Sequence, residues 1–220
     1  MLEGKNSNCR DSPIVVVFRC SVHLSMEDYK YLATLGEGAN GVLWKCLERA
    51  TGRHVAIKIF KQTYQKQEII RLAMREARVL QTLQHPAIVQ LVEALKSKSG
   101  RVYMVFPYGG LSAYQELENH PEGFPDPQLK LLVWQLLQAL VYLHRRKVVH
   151  RDITPGNIFV SEAGELKLFD FGFARTIHYG LRDAEHLSSY AVTDWYRAPG
   201  EEVKANIGKL MLADKSKDKP

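Results

Sequence analysis

The sequence is poor in the features that mark secreted or membrane chains. Its 220 residues hold only three cysteines, Cys9, Cys20 and Cys46. That odd number without metal-ligand spacing predicts reduced thiols, no disulfide and an intracellular setting. The apolar run Ile14–Phe18 is broken by Arg19, which is too short for a signal peptide. Lys130, Gln135 and Gln138 interrupt the best candidate for a membrane span, so no membrane partner is expected. No aromatic-basic stripe or base-reading motif accompanies the formal net charge of +6, and several lysines sit in the closing tail. Nucleic acid is therefore not an expected partner. What remains, 45% hydrophobic and 25% charged, describes a soluble globular chain of one domain or two small lobes.

Residues 1–25 read as an extension with one strand-like run at Ile14–Arg19. From Met26 the pattern tightens. "YKYLATLGEGANGVLWKCLERATGRHVAIKIF" alternates apolar and polar residues around a "TGR" turn, which predicts successive antiparallel strands. "QEIIRLAMREARVLQTLQ" has helical period, with Ile69, Leu72, Ala73, Ala77, Val79, Leu80 and Leu83 on one face. Glu76 falls within that face, where a carboxylate is costly unless a cation reaches it. The alternative is a side chain leaning toward Arg75 or solvent. "HPAIVQLVEAL" and "GRVYMVFPYGG" read as two more strands. "DPQLKLLVWQLLQALVYLHRRK" reads as a helix started by Asp126 and Pro127. Leu132, Leu136, Leu140 and Leu143 lie on one side of it, with Leu131, Trp134, Val141 and Tyr142 around the others, so it belongs in an interior.

The chemistry sits in four short motifs. "GEGANG" at Gly36–Gly41 is followed by strand and turn, not helix, which disfavours a dinucleotide fold and leaves a glycine-rich hairpin over phosphates. "VAIK" puts Lys58 on the next strand, where it would hold phosphates and pair with Glu76. "HRDITPGN" offers Asp152 to accept a hydroxyl proton and Asn157 to bind magnesium. "DFG" adds Asp170 as a second metal ligand. The order and spacing of all four make coincidence a small share.

With these motifs in view, Tyr29–Pro199 resembles a eukaryotic protein kinase. "LAMREARVL", "DFGFAR" and "TDWYRAP" are most similar to the cyclin-dependent kinase-like subfamily of the CMGC group. The resemblance implies an α+β, two-lobed fold: a small antiparallel N-lobe with one helix over residues 26–106, and a partial, mainly helical C-lobe over 107–199. It implies a serine/threonine protein kinase using ATP and Mg2+ on protein substrates. Catalytic roles would fall to Asp152, Lys58 and Glu76, and metal binding to Asn157 and Asp170. ATP would lie against Leu35, Gly36, Glu37, Gly38, Ala39, Asn40, Gly41, Val42, Leu43 and Lys58. Phe106 would be the gatekeeper, with adenine bonded to the Pro107 carbonyl and the Gly109 N–H. Ser188 and Tyr190 map onto activation-segment phosphosites, with Arg75, Arg151 and Arg175 as the receiving cations, and Arg197 favours a proline after the target residue. A cytoplasmic location follows, with the nucleus as a second compartment.

Two departures qualify the resemblance. Thr154 stands where serine/threonine kinases carry a lysine on the γ-phosphate, and Gly156 stands where tyrosine kinases carry an arginine. After "DWYRAP", "GEEVKANIGKLMLADKSKDKP" lacks the expected helices, so a chain cut short, a disordered basic tail over 200–220 and marginal stability are expected. A chaperone or regulatory partner would then cover the exposed C-lobe. The alternative function is a catalytically inactive regulator that binds ATP or protein.

Overall fold

The computed structural model describes residues 26–38, 41–61, 66–97, 100–176 and Tyr196. The strand-like run at Ile14–Arg19, Cys9, Cys20 and the tail over 200–220 lie outside the described residues.

Five strands, β1 (Tyr29–Glu37), β2 (Gly41–Glu48), β3 (His54–Phe60), β4 (Glu93–Lys96) and β5 (Val102–Pro107), form one antiparallel sheet in the order β1-β2-β3-β5-β4. The "TGR" turn forms as expected, with Gly52 at φ +69° and its N–H donating to the Glu48 carbonyl at 2.8 Å. Strand alternation sends β3 side chains to opposite faces. Val55, Ile57 and Ile59 join Tyr29, Cys46, Leu95, Tyr103 and Val105 in one cluster, while Ala56 and Phe60 join the other. Lys58 shares the second face, and this alternation is what aims it inward. Cys46 is buried in the first cluster, and burial pushes its thiol up to about 11.

The helix α1 (Lys66–Gln81) lays its apolar face on that sheet. Ile69, Ala73, Ala77 and Leu80 are buried, Leu72 and Val79 half-buried, and Leu83 is buried just beyond the helix end. The next stretch corrects the sequence reading. "HPAIVQL" is not a strand, and β4 begins only at Glu93. Its backbone groups pair elsewhere: Val89 N–H donates to Leu168 O at 3.0 Å and Leu168 N–H to Ala87 O at 2.9 Å. The consecutive apolar residues Ala87, Ile88 and Val89 are buried in a connection that packs against Leu168. A second tie lies beside it, where Gln84 N–H donates to the Tyr142 hydroxyl at 2.6 Å. The His85 ring lies 5.0 Å from the Tyr142 ring, and the Arg146 guanidinium sits 3.8 Å over that ring.

Beyond β5 the chain passes through Gly110, at φ +99°, where any side chain would strike the Val160 carbonyl. Glycine is required there. Strand β6 (Leu111–Ser112) leads into α2 (Ala113–Asn119), whose start is fixed by a reciprocal cap between Ser112 and Gln115. Then come α3 (Asp126–Arg145), β7 (Val148–Val149), β8 (Ile158–Val160), β9 (Leu166–Leu168) and β10 (Arg175–Thr176). These strands form two small sheets, β6-β8-β9 and β10-β7. Gln135 of α3 grips the β8–β9 turn, donating to Gly164 O and accepting from Leu166 N–H, both at 2.9 Å.

Helix α3 departs from the expectation of burial all round. Leu132, Ala139 and Leu143 are buried and Leu136, Leu140 and Tyr142 partly so, whereas Leu129, Leu131, Val133, Trp134, Leu137 and Val141 are exposed among the described residues. Its inner face packs on β7 and β9. Its other faces stay largely open among the described residues. No described helix is long and apolar enough to cross a membrane.

Candidate functional site

Between the sheet and the lower helices lies a cleft of about 740 Å³. Its roof is the β1–β2 hairpin, where Leu35, Gly36, Glu37, Gly38, Gly41, Val42 and Leu43 line the wall. Gly38 N–H donates to Gly41 O at 2.9 Å, closing the tip. A side chain at Gly41 would collide with the Ile59 carbonyl of β3, so the hairpin can lie against its neighbour only with glycine there. Glu37 is held by Lys61 at 2.6 Å. Ala39 and Asn40 lie outside the described residues.

Lys58 spans the cleft interior. Its Nζ donates to both carboxylate oxygens of Glu76, at 3.0 and 2.8 Å, and to Asp170 Oδ1 at 2.8 Å. Glu76 is 1% exposed, so the apolar helix face does carry a carboxylate, and an ammonium does reach it. Burial pushes the Lys58 ammonium toward neutrality, but Asp170 and Glu76 outweigh it and raise its pKa. Burial also works against the Asp170 charge, yet Lys58 and the Gly172 N–H hold its carboxyl below the usual range. Glu76 is raised by burial, with Lys58 opposing. Lys58 is the hinge of this triad, because removing it leaves two carboxylates uncompensated, whereas removing either carboxylate leaves the ammonium paired with the other.

The lower wall is built by the "HRDITPGN" loop. Asn157 Nδ2 donates to the Asp152 carbonyl at 2.9 Å and to Asp152 Oδ2 at 2.8 Å. Asp152 Oδ1 is buried without a hydrogen-bond partner among the described residues. Burial raises the Asp152 pKa, with the Asn157 bond opposing. Non-glycine residues with left-handed backbone flank this site: Arg151 at φ 72° and Asp170 at φ 56°. Backbone of that kind in non-glycine residues is held only where its surroundings insist on it.

Several lining or supporting residues escaped the sequence reading. His150 donates from Nε2 to Phe169 O at 2.8 Å and accepts Asp152 N–H on Nδ1 at 3.2 Å, and its ring meets Phe171 at 4.6 Å. Burial depresses its pKa to about 4, so it is neutral, as an imidazole accepting at Nδ1 must be. It stands directly before the arginine and Asp152 in the same motif, which was its available signal. Phe159 and Phe169 line the base of the cleft, and Ser112, Tyr114, Gln115 and Glu118 line its mouth. None of these six belongs to a short motif read from the sequence.

Phe106 lines the cleft, but Pro107 and Gly109 border a second hollow of about 440 Å³ with His85, Tyr108 and Lys167. Burial, and after it the charges of Arg75 and Arg151, lower the pKa of Arg175. Ser188, Tyr190 and Arg197 lie outside the described residues.

No group of three or more His, Cys, Asp or Glu among the described residues could hold a metal ion. Asn157 and Asp170, which both line the cleft, fit instead the sparse protein donor set by which Mg2+ is held together with phosphate oxygens. Lys58 is the sole cation among the described residues that line the cleft, and Thr154 and Gly156 stand side by side in the wall.

Comparison with known proteins agrees with this geometry. A protein kinase domain model matches residues 29–208. Cyclin-dependent kinase-like 4 of Mus musculus is 40% identical over 174 residues, covering 79% of this chain and 49% of that protein. Cyclin-dependent kinase-like 1 of Caenorhabditis elegans is 41% identical over 79% of this chain and 48% of its own length. Cyclin-dependent kinase-like 5 of Homo sapiens is 38% identical over 84% of this chain and 19% of its own length. The chain thus spans about half the length of the first two relatives and a fifth of the third.

Proposed function

This chain belongs to the protein kinase family, and from that premise we propose that it transfers the γ-phosphate of ATP to serine and threonine hydroxyls of protein substrates, at a reduced rate. The observation that carries the reading is the Lys58 ammonium bonded to both Glu76 and Asp170 beneath a glycine-rich hairpin. Lys58 receives the α and β phosphates, and Glu76 positions it. Leu35 and Leu43 cover the base from above, with Phe159 below. Asn157 and Asp170 hold magnesium, which when bound neutralises phosphate charge. Asp152 Oδ1, buried and without a partner, takes the proton of the acceptor hydroxyl as its oxygen bonds to the γ-phosphorus and ADP departs. Gly156 offers none of the guanidinium that tyrosine kinases place there, which favours serine and threonine.

The reduced rate rests on Thr154, a hydroxyl where the family pattern has a lysine. Loss of one transition-state cation costs roughly 2–4 kcal/mol, about 10²- to 10³-fold in rate. Thr154→Lys is therefore expected to raise kcat by about 10²-fold at that position. The same feature favours a second reading, a regulator that binds ATP or protein without transfer. A phosphoryl-transfer assay on basic protein substrates, run beside Asp152→Asn, separates the two. Equal signal from both proteins rejects catalysis, and a magnesium-ATP thermal shift in their presence supports the binding reading. The exposed apolar faces of α3 support a chaperone or regulatory protein as partner. A cytoplasmic, secondarily nuclear, site of action belongs to the same proposal.

A further inference from the structure

Charge in the cleft is unevenly matched. Five carboxylates line it, Glu37, Glu76, Glu118, Asp152 and Asp170, against the ammonium of Lys58 alone among the described residues. Lys58 is already bonded to Glu76 and Asp170, and Glu37 is held by Lys61. Asp152 and Glu118 have no cation within ion-pair distance among the described residues. Asp152 is only 8% exposed, and its Oδ1 has no hydrogen-bond partner there. The wall beside it is bare. Thr154 presents a hydroxyl, and a Cβ built on Gly156 meets only Thr154 Oγ1, at 3.7 Å, an ordinary contact. Helix α2, which carries Glu118, packs on the turn Pro155–Asn157. Beside Asp152, then, there is room for a cationic side chain that the described residues do not provide.

We propose that the acceptor substrate brings this cation itself: an arginine or lysine next to the acceptor serine or threonine enters the space beside Thr154 and Gly156 and lies against the transferring phosphoryl group. The inference rests on the reading of the cleft as a site of phosphoryl transfer. In that step the hydroxyl oxygen bonds to the γ-phosphorus, the bond to ADP breaks, and the proton passes to Asp152 Oδ1. The substrate's guanidinium or ammonium keeps its charge throughout and forms no covalent bond. Its effect is electrostatic, greatest where negative charge is shared between the entering and leaving oxygens. Glu118 at the mouth meets the same basic segment on entry. That contact bears on binding, whereas a cation beside Thr154 bears on rate.

The test uses two peptides that differ in charge alone, a serine flanked on both sides by arginine and the same serine flanked by citrulline, with the full chain and magnesium-ATP. The arginine peptide is expected to show a kcat about 10- to 100-fold higher. Raised salt should erase any difference in KM and leave the difference in kcat. Thr154→Lys fixes a cation in the same wall, so it should raise kcat on the citrulline peptide and narrow the gap to within about threefold. Gly156→Lys, at a backbone outside the left-handed region, should narrow it likewise and keeps the comparison available should Thr154→Lys fail to fold. A readout without turnover is peptide affinity for the chain loaded with magnesium, ADP and aluminium fluoride, a mimic of the transferring group. The advantage of the arginine peptide should be about tenfold larger there than with magnesium-ADP. Equal kcat on the two peptides, or a difference confined to KM, would overturn the inference while leaving transfer intact. A gap unchanged in both lysine variants also defeats it, by placing the substrate's cation elsewhere. Transfer to neither peptide above the level of Asp152→Asn removes the transfer reading, and this inference with it.

Discussion

The β3 strand and the α3 helix are both dominated by apolar residues, yet they are covered to different degrees. Six consecutive residues of β3, Val55–Phe60, are buried, and the five apolar ones divide between two clusters on opposite faces of the sheet. On α3, Leu132, Ala139 and Leu143 are buried, while Trp134 is 58% and Leu137 is 54% exposed among the described residues. Apolar content states what a segment needs to bury. What meets it depends on neighbours that the segment itself does not encode. For β3 those neighbours are adjacent strands and α1. For α3 they are β7, β9 and the loop following α1, all on one side.

The sharpest way to break this comparison is to truncate the inner face of α3. Leu143→Ala removes a side chain with no exposed surface and is expected to cost about 2–5 kcal/mol in urea unfolding. A cost below about 1 kcal/mol would show that even the inner face is loosely covered. The next effect in size concerns acid. His150 is 1% exposed with its pKa depressed to about 4 from an ordinary 6.5. The unfolded chain therefore binds this proton more readily, and the stabilisation is complete above about pH 6.5, is lost as pH falls, and is gone below about 4. The loss should reach about 3 kcal/mol. Unfolding midpoints at pH 7 and pH 4.5 should diverge less in His150→Gln than in the unaltered chain, and equal divergence would remove His150 from the account. The smallest effect sharpens the contrast from outside. Trp134→Ser should change stability by no more than about 0.5 kcal/mol, and a loss comparable to that of Leu143→Ala would mean that the outer face is covered after all.

Much of the site was legible because its chemistry is local in sequence or carries an internal contradiction. Glu76 amid Ile69, Ala73 and Leu80 demanded a cation, and Lys58 answers it. Asp152 and Asn157 sit five positions apart on one loop and bond each other directly. Phe169, Phe159 and Ser112 were opaque for the opposite reason. Each looks like an ordinary strand or cap residue, and only the β6-β8-β9 sheet brings them to the cleft. "HPAIVQL" misled because its short apolar run, Ala87–Val89, fits a buried strand equally well. Its backbone partners, around Leu168, lie far along the chain, where no periodicity points. The α3 helix was read correctly as a helix but not in its surroundings, since an all-round apolar wheel records no direction of approach.

One small contact governs more than its size suggests. The loop at the end of α1 hangs from the Tyr142 hydroxyl through Gln84, with His85 and Arg146 bracketing the ring. That arrangement ties the end of the helix bearing Glu76 to the lower body as well as to the sheet. The helix that carries Glu76 to Lys58 is thus moored at two places, above by the sheet and below by a tyrosine of another helix.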